Sequence, residues 1–238
     1  MNKIYVFDMD GTLTPPRKPM EEQFAKLFLP WLKKHLSYLV TGSDLQKVQE
    51  QLPSDIMGGF QGIFASSGNL LWSVGNTVYS RDCDHDPKLI DALEMLRKNT
   101  SYPGTLYPNY KEVRTGMINF SVLGRDAPYE EREKYSAWDA ENHERERIQK
   151  ELSERFAEYD ITIGGQISID IVKKGYGKNQ IAQEIMARNP DCQIAFFGDK
   201  TFKGGNDHAL ACELKKYPGT EVVQVDGPDE LLKILDIK

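Results

Sequence analysis

The 238-residue chain has little of several things that would point its interpretation elsewhere. Its three cysteines, Cys83, Cys192 and Cys212, are too few and too scattered for a disulfide framework or a zinc cluster. Its longest apolar runs, such as Ile4 to Phe7 and Ile194 to Phe197, are strand-sized, against the roughly 20 residues needed to span a bilayer. Positive charge is not in excess. A formal net charge of −6 gives no general attraction to nucleic acid, so an anionic ligand would have to be held by local cations. No basic leader with a long apolar stretch precedes the first strand; a cytoplasmic location and no membrane role are the expectation.

What is present is the material of a folded protein: 39% hydrophobic and 28% charged residues, in a length that accommodates one or two compact domains. Lys3 to Phe7 reads as a buried strand that stops at an acidic, turn-rich stretch, Asp8 to Pro19. Helical spacing follows over Glu21 to His35, then a strand at Tyr38 to Val40, a helix through Leu45, Val48 and Leu52, and a short strand at Gly62 to Phe64. Alternation of this kind predicts a parallel sheet that binds ligands at the carboxyl ends of its strands, where Asp8 and Thr41 fall.

From about Asp82 the order changes. A helix (Lys88 to Lys98), an alternating strand (Gly116 to Val122), a charge-dense helix (Ala140 to Tyr159) and a strand (Gly165 to Val172) suggest an antiparallel sheet with helices on one face. In the charge-dense segment Ile148, Leu152 and Phe156 recur at helical spacing, which makes its charges the solvated face of an amphipathic helix. The parallel pattern resumes after Gly175 and closes with a helix from Pro228. The expected fold class is α/β: a Rossmann-like parallel-sheet core (residues 1–81 and 175–238) with an inserted α+β cap domain (residues 82–174).

Two acidic constellations follow buried strands. In Asp8-Met9-Asp10-Gly11-Thr12 one carboxylate can attack phosphorus while the other moves a proton to or from the reacting oxygen. Taken alone, an Asp-x-Asp is as readily a turn or a helix cap; the preceding strand and Gly11, which permits close backbone approach to a phosphate, favour chemistry. In Gly198-Asp199-Lys200-Thr201 and Gly204-Gly205-Asn206-Asp207 the hard oxygen ligands suit Mg²⁺, without which convergent carboxylates would repel a phosphate dianion.

These residues, together with Thr14, a Thr or Ser after the second strand and a downstream lysine, resemble the ordered motif set of the haloacid dehalogenase superfamily. The resemblance implies Asp8 as the phosphorylated nucleophile, Asp10 as general acid/base, and Mg²⁺ held by Asp8, the Asp10 backbone carbonyl and Asp199, with Asp207 as a further acidic ligand. Thr41 and Ser43 both compete to bind the transferring phosphoryl group; the run Gly42 to Leu52 favours Ser43. Lys178, in Gly177-Lys178, is the implied lysine.

A narrower resemblance is to the eukaryotic-type phosphomannomutases. It is carried by Thr14-Pro15-Pro16-Arg17, by Val113 to Asn119 with Gly124-Arg125 and Glu130-Glu131-Arg132, by Gly164 to Asp170, and by Phe196 to Thr201 with Gly204 to His208. It implies that Arg17, Arg114, Arg125 and Arg132 grip the substrate, most of them on the phosphate that is not reacting, and that Ser168 and Asp170 contact the sugar. A planar fork of permanently charged donors suits that task. The chain departs from the family where Ser66-Ser67-Gly68 replaces Glu-Asn-Gly after the third strand, where Ala209 and Gly177 replace acids, and in a somewhat trimmed cap. The implied activity is interconversion of mannose 6-phosphate and mannose 1-phosphate, primed by hexose 1,6-bisphosphate. The alternatives are a Mg²⁺-dependent sugar-phosphate phosphatase on the same scaffold and a non-catalytic sugar-phosphate binder. Family members commonly form a homodimer through the cap.

Overall fold

A computed structural model of the protein describes residues 3–237. They divide into two compact units. The first takes the chain up to Arg81, Tyr176–Lys203 and the chain from Asp207 on; the second takes Asp82–Gly175 and Gly204–Asn206. Relative to the expected boundaries, Gly175 and the short stretch Gly204–Asn206 therefore group with the second unit.

In chain order the first unit begins with β1 (Lys3–Asp8), α1 (Glu22–Leu32), β2 (Ser37–Val40), α2 (Leu45–Gln51), α3 (Ser54–Gly59), β3 (Gly62–Ala65), β4 (Leu70–Ser73) and β5 (Asn76–Ser80). The second contributes α4 (Pro87–Lys98), β6 (Lys111–Arg114), β7 (Met117–Phe120), α5 (Tyr129–Asn142), α6 (Glu144–Arg155), β8 (Tyr159–Ile163) and β9 (Ile169–Lys173). The first resumes with α7 (Gln180–Arg188), β10 (Gln193–Gly198), α8 (His208–Leu214), β11 (Glu221–Gln224) and α9 (Pro228–Ile234). Among the described residues no helix is long and apolar enough to cross a membrane.

The first unit is built on a seven-stranded sheet of order β11-β10-β1-β2-β3-β4-β5. The strands from β11 to β3 pair in parallel, and the β4–β5 hairpin continues the sheet antiparallel. Strands in such a sheet are covered on both faces and so are apolar at nearly every position. Phe7, Leu39, Ile63 and Phe197 pack on the side of α1 to α3 and α9, whereas Ile4, Val6, Val40, Phe64 and Phe196 pack on the side of α7 and α8. The two-residue period places Asp8 on the same side as Val6, the side served by α7 and α8.

In the second unit the sheet order is β6-β7-β9-β8, antiparallel throughout. One face, with Ile118, Phe120, Ile161, Ile169 and Ile171, packs on Leu89 and Leu93 of α4, Tyr135 of α5, and Ile148 and Leu152 of α6. The register sets Glu112 beside Asn119, Asn119 beside Asp170 and Asp170 beside Thr162, a polar row across the opposite face, with Arg114 two residues along β6.

The helix expected over Ala140 to Tyr159 is in fact the end of α5 and all of α6, broken at His143, whose φ of 53° is left-handed. Ile148, Leu152 and Phe156 are buried, so the amphipathic reading of α6 holds. The helix expected over Glu21 to His35 ends at Leu32 despite an internal Pro30. Strands β4, β5 and β6 and most of α5 carry too little apolar periodicity to have been expected; β8 was not expected although Tyr159, Ile161 and Ile163 alternate with polar residues.

Ile171→Ala, on the helix-packed face, is expected to lower stability by about 2–5 kcal/mol. Val113→Ala, at a position 62% exposed on the edge strand β6, should change it by no more than about 0.5 kcal/mol. Urea unfolding of the two variants measures both values.

Candidate active site

Asp8 ends the central strand and is almost fully buried. The chain then reverses tightly: the Met9 carbonyl accepts from the backbone N–H groups of Thr12, Leu13 and Thr14 and from the Thr14 hydroxyl, and the Gly11 N–H donates to the Thr14 carbonyl at 2.8 Å. Gly11 sits at φ +86°, and a Cβ there would lie 2.5 Å from Asp199 Oδ2. Position 11 therefore excludes a side chain both by conformation and by the approach of the second acidic loop.

That loop and the turn before α7 complete a buried charge cluster. The Lys178 ammonium donates to Asp8 Oδ1 at 2.6 Å and to Asp207 Oδ1 at 2.5 Å, with all three side chains at most 5% exposed. One oxygen from each of Asp8, Asp199 and Asp207 lies within 4.8 Å of the others. Asp199 Oδ1 is buried and makes no hydrogen bond, while its Oδ2 lies 3.5 Å from the Lys200 ammonium at the rim.

Burial pushes the Asp8 carboxyl well above the usual carboxylate range, Asp207 and Asp199 push the same way, and Lys178 only partly offsets them. Burial and Asp207 likewise raise Asp199 against the pull of Lys200. For Lys178 burial favours the neutral amine, but Asp207 and Asp8 outweigh it and hold the ammonium charged. Three carboxylates around one buried ammonium leave an excess of negative charge. Hard oxygens, an orphaned Asp199 Oδ1 and that excess together fit a divalent cation.

Asp10 faces a different set of partners. Its Oδ1 accepts from the Arg17 backbone N–H at 2.7 Å and from Gln51 Nε2 at 3.1 Å, and its Oδ2 accepts from the Ser43 hydroxyl at 3.3 Å. The side chain of Asp10 is not among the grouped acidic oxygens. Arg17 has φ +60°, a left-handed conformation costing a non-glycine residue about 1–3 kcal/mol, which its hydrogen bond to Asp10 helps to hold.

Of the competing hydroxyls, Thr41 Oγ1 accepts from the Ser43 N–H at 3.0 Å inside the turn, and Ser43 Oγ reaches Asp10. The turn after β3 braces both: Ser66 and Ser67, at φ 48° and 58°, donate their N–H groups to the carbonyls of Ser43 and Thr41 at 2.8 and 2.9 Å. The substituted Ser66-Ser67-Gly68 stretch therefore supports the loop carrying Thr41 and Ser43 through its backbone.

The second unit holds the remaining residues. Glu112 Oε2 accepts from Arg114 Nη2 at 2.5 Å, and its Oε1 forms an ion pair with Arg125 Nε at 3.3 Å. Arg132 donates to the Ala127 and Arg125 carbonyls, which brings its guanidinium to the same loop. Arg125 is nearly buried, and its Nε and Nη1 make no hydrogen bond. Asn119 donates to Asp170, and the Ser168 hydroxyl is buried without a hydrogen bond. Gly164 keeps that corner open, since a Cβ there would meet Asp170 Oδ2 at 2.9 Å and Ser168 Oγ at 3.0 Å.

Gln51, Asn119 and Glu112 were not anticipated. Gln51 is buried on α2 one residue before Leu52, where an apolar side chain would suit the core; a lone buried polar residue on an apolar helix face is the signal that could have found it. Its Nε2 also reaches the Thr14 hydroxyl and the Lys18 carbonyl, so it ties Asp10 to both ends of the first loop.

Solved structures share the architecture. An IMP-nucleotidase of Plasmodium falciparum superposes with a TM-score of 0.62 at 17% identity, over 99% of this chain and 67% of that one. A haloacid dehalogenase-like hydrolase of Bacteroides thetaiotaomicron gives 0.61 at 12% identity, over 98% and 100%. At such identities the likeness is one of fold, and the fold is haloacid dehalogenase-like. The sequence goes further. The profile of the family described as eukaryotic phosphomannomutase matches residues 25–237. A phosphomannomutase of Solanum lycopersicum is 35% identical over 241 residues, spanning 97% of this chain and 91% of that protein. One of Saccharomyces cerevisiae is 32% identical over 243 residues, spanning 98% and 92%. This chain belongs to the eukaryotic phosphomannomutase family.

Lys178→Met leaves the buried acids without their shared cation and should destabilise the protein by about 3–5 kcal/mol. Asp8→Asn should do the opposite in metal-free buffer at neutral pH, raising the thermal midpoint. The folded-state pKa of Asp8 lies above its unfolded value, so its ionisation opposes folding as pH rises past the ordinary carboxylate range. The gain should shrink as pH falls below that range, where Asp8 is protonated folded and unfolded alike. Thermal melts across pH check both the sign and the window.

Proposed function

We propose that the protein interconverts mannose 6-phosphate and mannose 1-phosphate through an aspartyl phosphate on Asp8 and a hexose bisphosphate intermediate. The observation carrying this reading is that the chain has two separate anion-handling groups: Asp8, Lys178, Asp199 and Asp207 in one unit, and Arg114, Arg125 and Arg132 in the other. A simple phosphatase requires only the first.

In the proposed cycle the phosphoryl group on Asp8 passes to the free hydroxyl of the sugar phosphate, the O–P bond to Asp8 breaking as the sugar O–P bond forms. Asp10 accepts the proton of that hydroxyl; its carboxylate is held for this by the Arg17 N–H and the Gln51 amide, with Ser43 on the other oxygen. After the bisphosphate turns over, Asp8 attacks the other phosphorus, and Asp10 returns the proton to the departing sugar oxygen. Lys178 fixes the rotation of the Asp8 carboxylate and offsets its charge toward the incoming phosphate. Mg²⁺, held by Asp8, Asp199, the Asp10 carbonyl and the neighbouring Asp207, would supply neutralisation of the phosphoryl oxygens. The cap arginines grip the phosphate that is not reacting, and Ser168 and Asp170 bear on the sugar hydroxyls. Hexose 1,6-bisphosphate primes the cycle by loading Asp8.

With mannose 1-phosphate, Mg²⁺ and a bisphosphate primer, isomer formation is expected to outrun phosphate release; fast release of phosphate without isomer would replace the mutase by a phosphatase. Asp8→Asn should lower both activities on the order of 10³-fold or more. Arg132→Ala should reduce isomerisation roughly 10- to 100-fold, the worth of a charged hydrogen bond, and hydrolysis by less. An equal effect on both activities contradicts a cap phosphate site.

A further inference from the structure

The arginine cluster of the second unit contains an acid. Glu112 is not placed there by accident of the surface: it lies two residues before Arg114 on β6, on the same face, and its two oxygens divide between Arg114 at 2.5 Å and Arg125 at 3.3 Å. Its side chain is 33% exposed, so it is half-buried against the two arginines while still open to solvent on one side. Burial alone would raise the Glu112 carboxyl, but Arg125 and Arg114 outweigh it and hold the group below its ordinary value, charged at neutral pH. Burial also weakens the hold of Arg125 on its proton, and Glu112 is the leading influence restoring it. Arg132 behaves the same way, with Glu112 and then Asp126 opposing the effect of burial.

Three guanidinium groups against Glu112, with Asp126 also beside Arg132, leave a cluster whose cations outnumber its acids by one. Glu112 and a bound anion also compete for the same donors: Glu112 engages Arg114 Nη2 and Arg125 Nε, while the buried Arg125 Nη1 makes no hydrogen bond. An anion entering the cluster must share or displace the carboxylate.

Resting on the mutase reading above, we propose that Glu112 is a positioning residue that limits the positive charge of the cap anion site and keeps the bound phosphate releasable. Without it, Arg114 and Arg125 would face the anion without the carboxylate that bridges them, and binding would become tight and slow to reverse. Release matters to a mutase, because the bisphosphate intermediate must leave the cap site and present its other end within each turnover. Glu112 acts as a built-in competitor that returns to the arginines as phosphate departs.

The test measures inorganic phosphate and sulfate binding to the wild type, Glu112→Gln and Glu112→Asp by calorimetry, alongside steady-state kinetics with mannose 1-phosphate and primer. Glu112→Gln is expected to bind both anions about tenfold more tightly, as removal of one nearby like charge in a partly buried site predicts. Both KM and kcat should fall, and phosphate should become a stronger inhibitor. Glu112→Asp keeps the charge and should restore affinities to within about threefold of the wild type, roughly 0.6 kcal/mol's equivalent in an equilibrium constant. Weaker anion binding in Glu112→Gln, at an unchanged thermal midpoint, would mean that Glu112 merely orients the arginines, and overturns the proposal. If Glu112→Gln does not fold, Glu112→Asp binding phosphate tenfold more tightly than the wild type overturns it equally. The two readings separate cleanly. An active mutase whose anion affinity ignores Glu112 removes only the role given to Glu112; tighter anion binding in a protein that merely hydrolyses sugar phosphates upholds that role and removes the mutase.

Discussion

A buried ammonium shared between two carboxylates organises the core unit. Lys178 precedes α7, Asp8 ends the central strand and Asp207 precedes α8, so one side chain ties three separate stretches of backbone to the same point at the sheet's carboxyl edge. Taking such charges out of water is expensive unless each finds a partner, and here the acids outnumber the cation. Burial first, and the neighbouring acids after it, hold Asp8 and Asp199 above the usual carboxylate range. A site that is electrostatically dissatisfied when empty is suited to receive a metal and to be relieved by it.

The second charged group inverts this arrangement. In the cap, cations outnumber the acid, and the excess is positive. Each cluster thus contains a residue of the minority sign that contacts two of the majority, Lys178 in the first and Glu112 in the second. In both places the minority residue moderates the field rather than creating it.

Much of the core was legible because its determinants are local. An apolar strand that stops at Asp8, and another that stops at Gly198-Asp199, announce carboxylates at a sheet edge, and period-two alternation fixes their side. The grouping of Asp8, Lys178 and Asp207 depended on a family resemblance, since nothing local says that residues so far apart in sequence meet. The elements that escaped did so for physical reasons. The β4–β5 hairpin turns on Val74 and Gly75, both at positive φ; the first of these positions normally favours Asn or Asp, and a β-branched residue there disguises the turn. Strands β6 and β8 are the edges of their sheet; β6 has a single apolar residue, whereas the alternation of Tyr159, Ile161 and Ile163 in β8 was hidden because it directly follows the apolar stripe of α6. Helix α5 buries only Tyr135 and Asp139, too little for an apolar stripe. Gln51 and Glu112 were hidden by type: a single amide or acid in a helix or strand looks like surface until its partners are known.

The hairpin formed by β6 and β7 pairs Arg114 with Met117 across only Thr115 and Gly116. Because side chains alternate between faces, inserting or deleting one residue within β6 would rotate one part of the strand relative to the other, separating Glu112 from Arg114 or sending both toward the helices. Over evolutionary time this segment can exchange residues far more easily than it can change length. Variation in chain length is better absorbed early in the connection between α4 and β6, before Tyr107 begins to pair with Leu123. Homologues that had lost or gained a residue in β6 would then be expected to have altered both their anion site and its charge balance in a single genetic event.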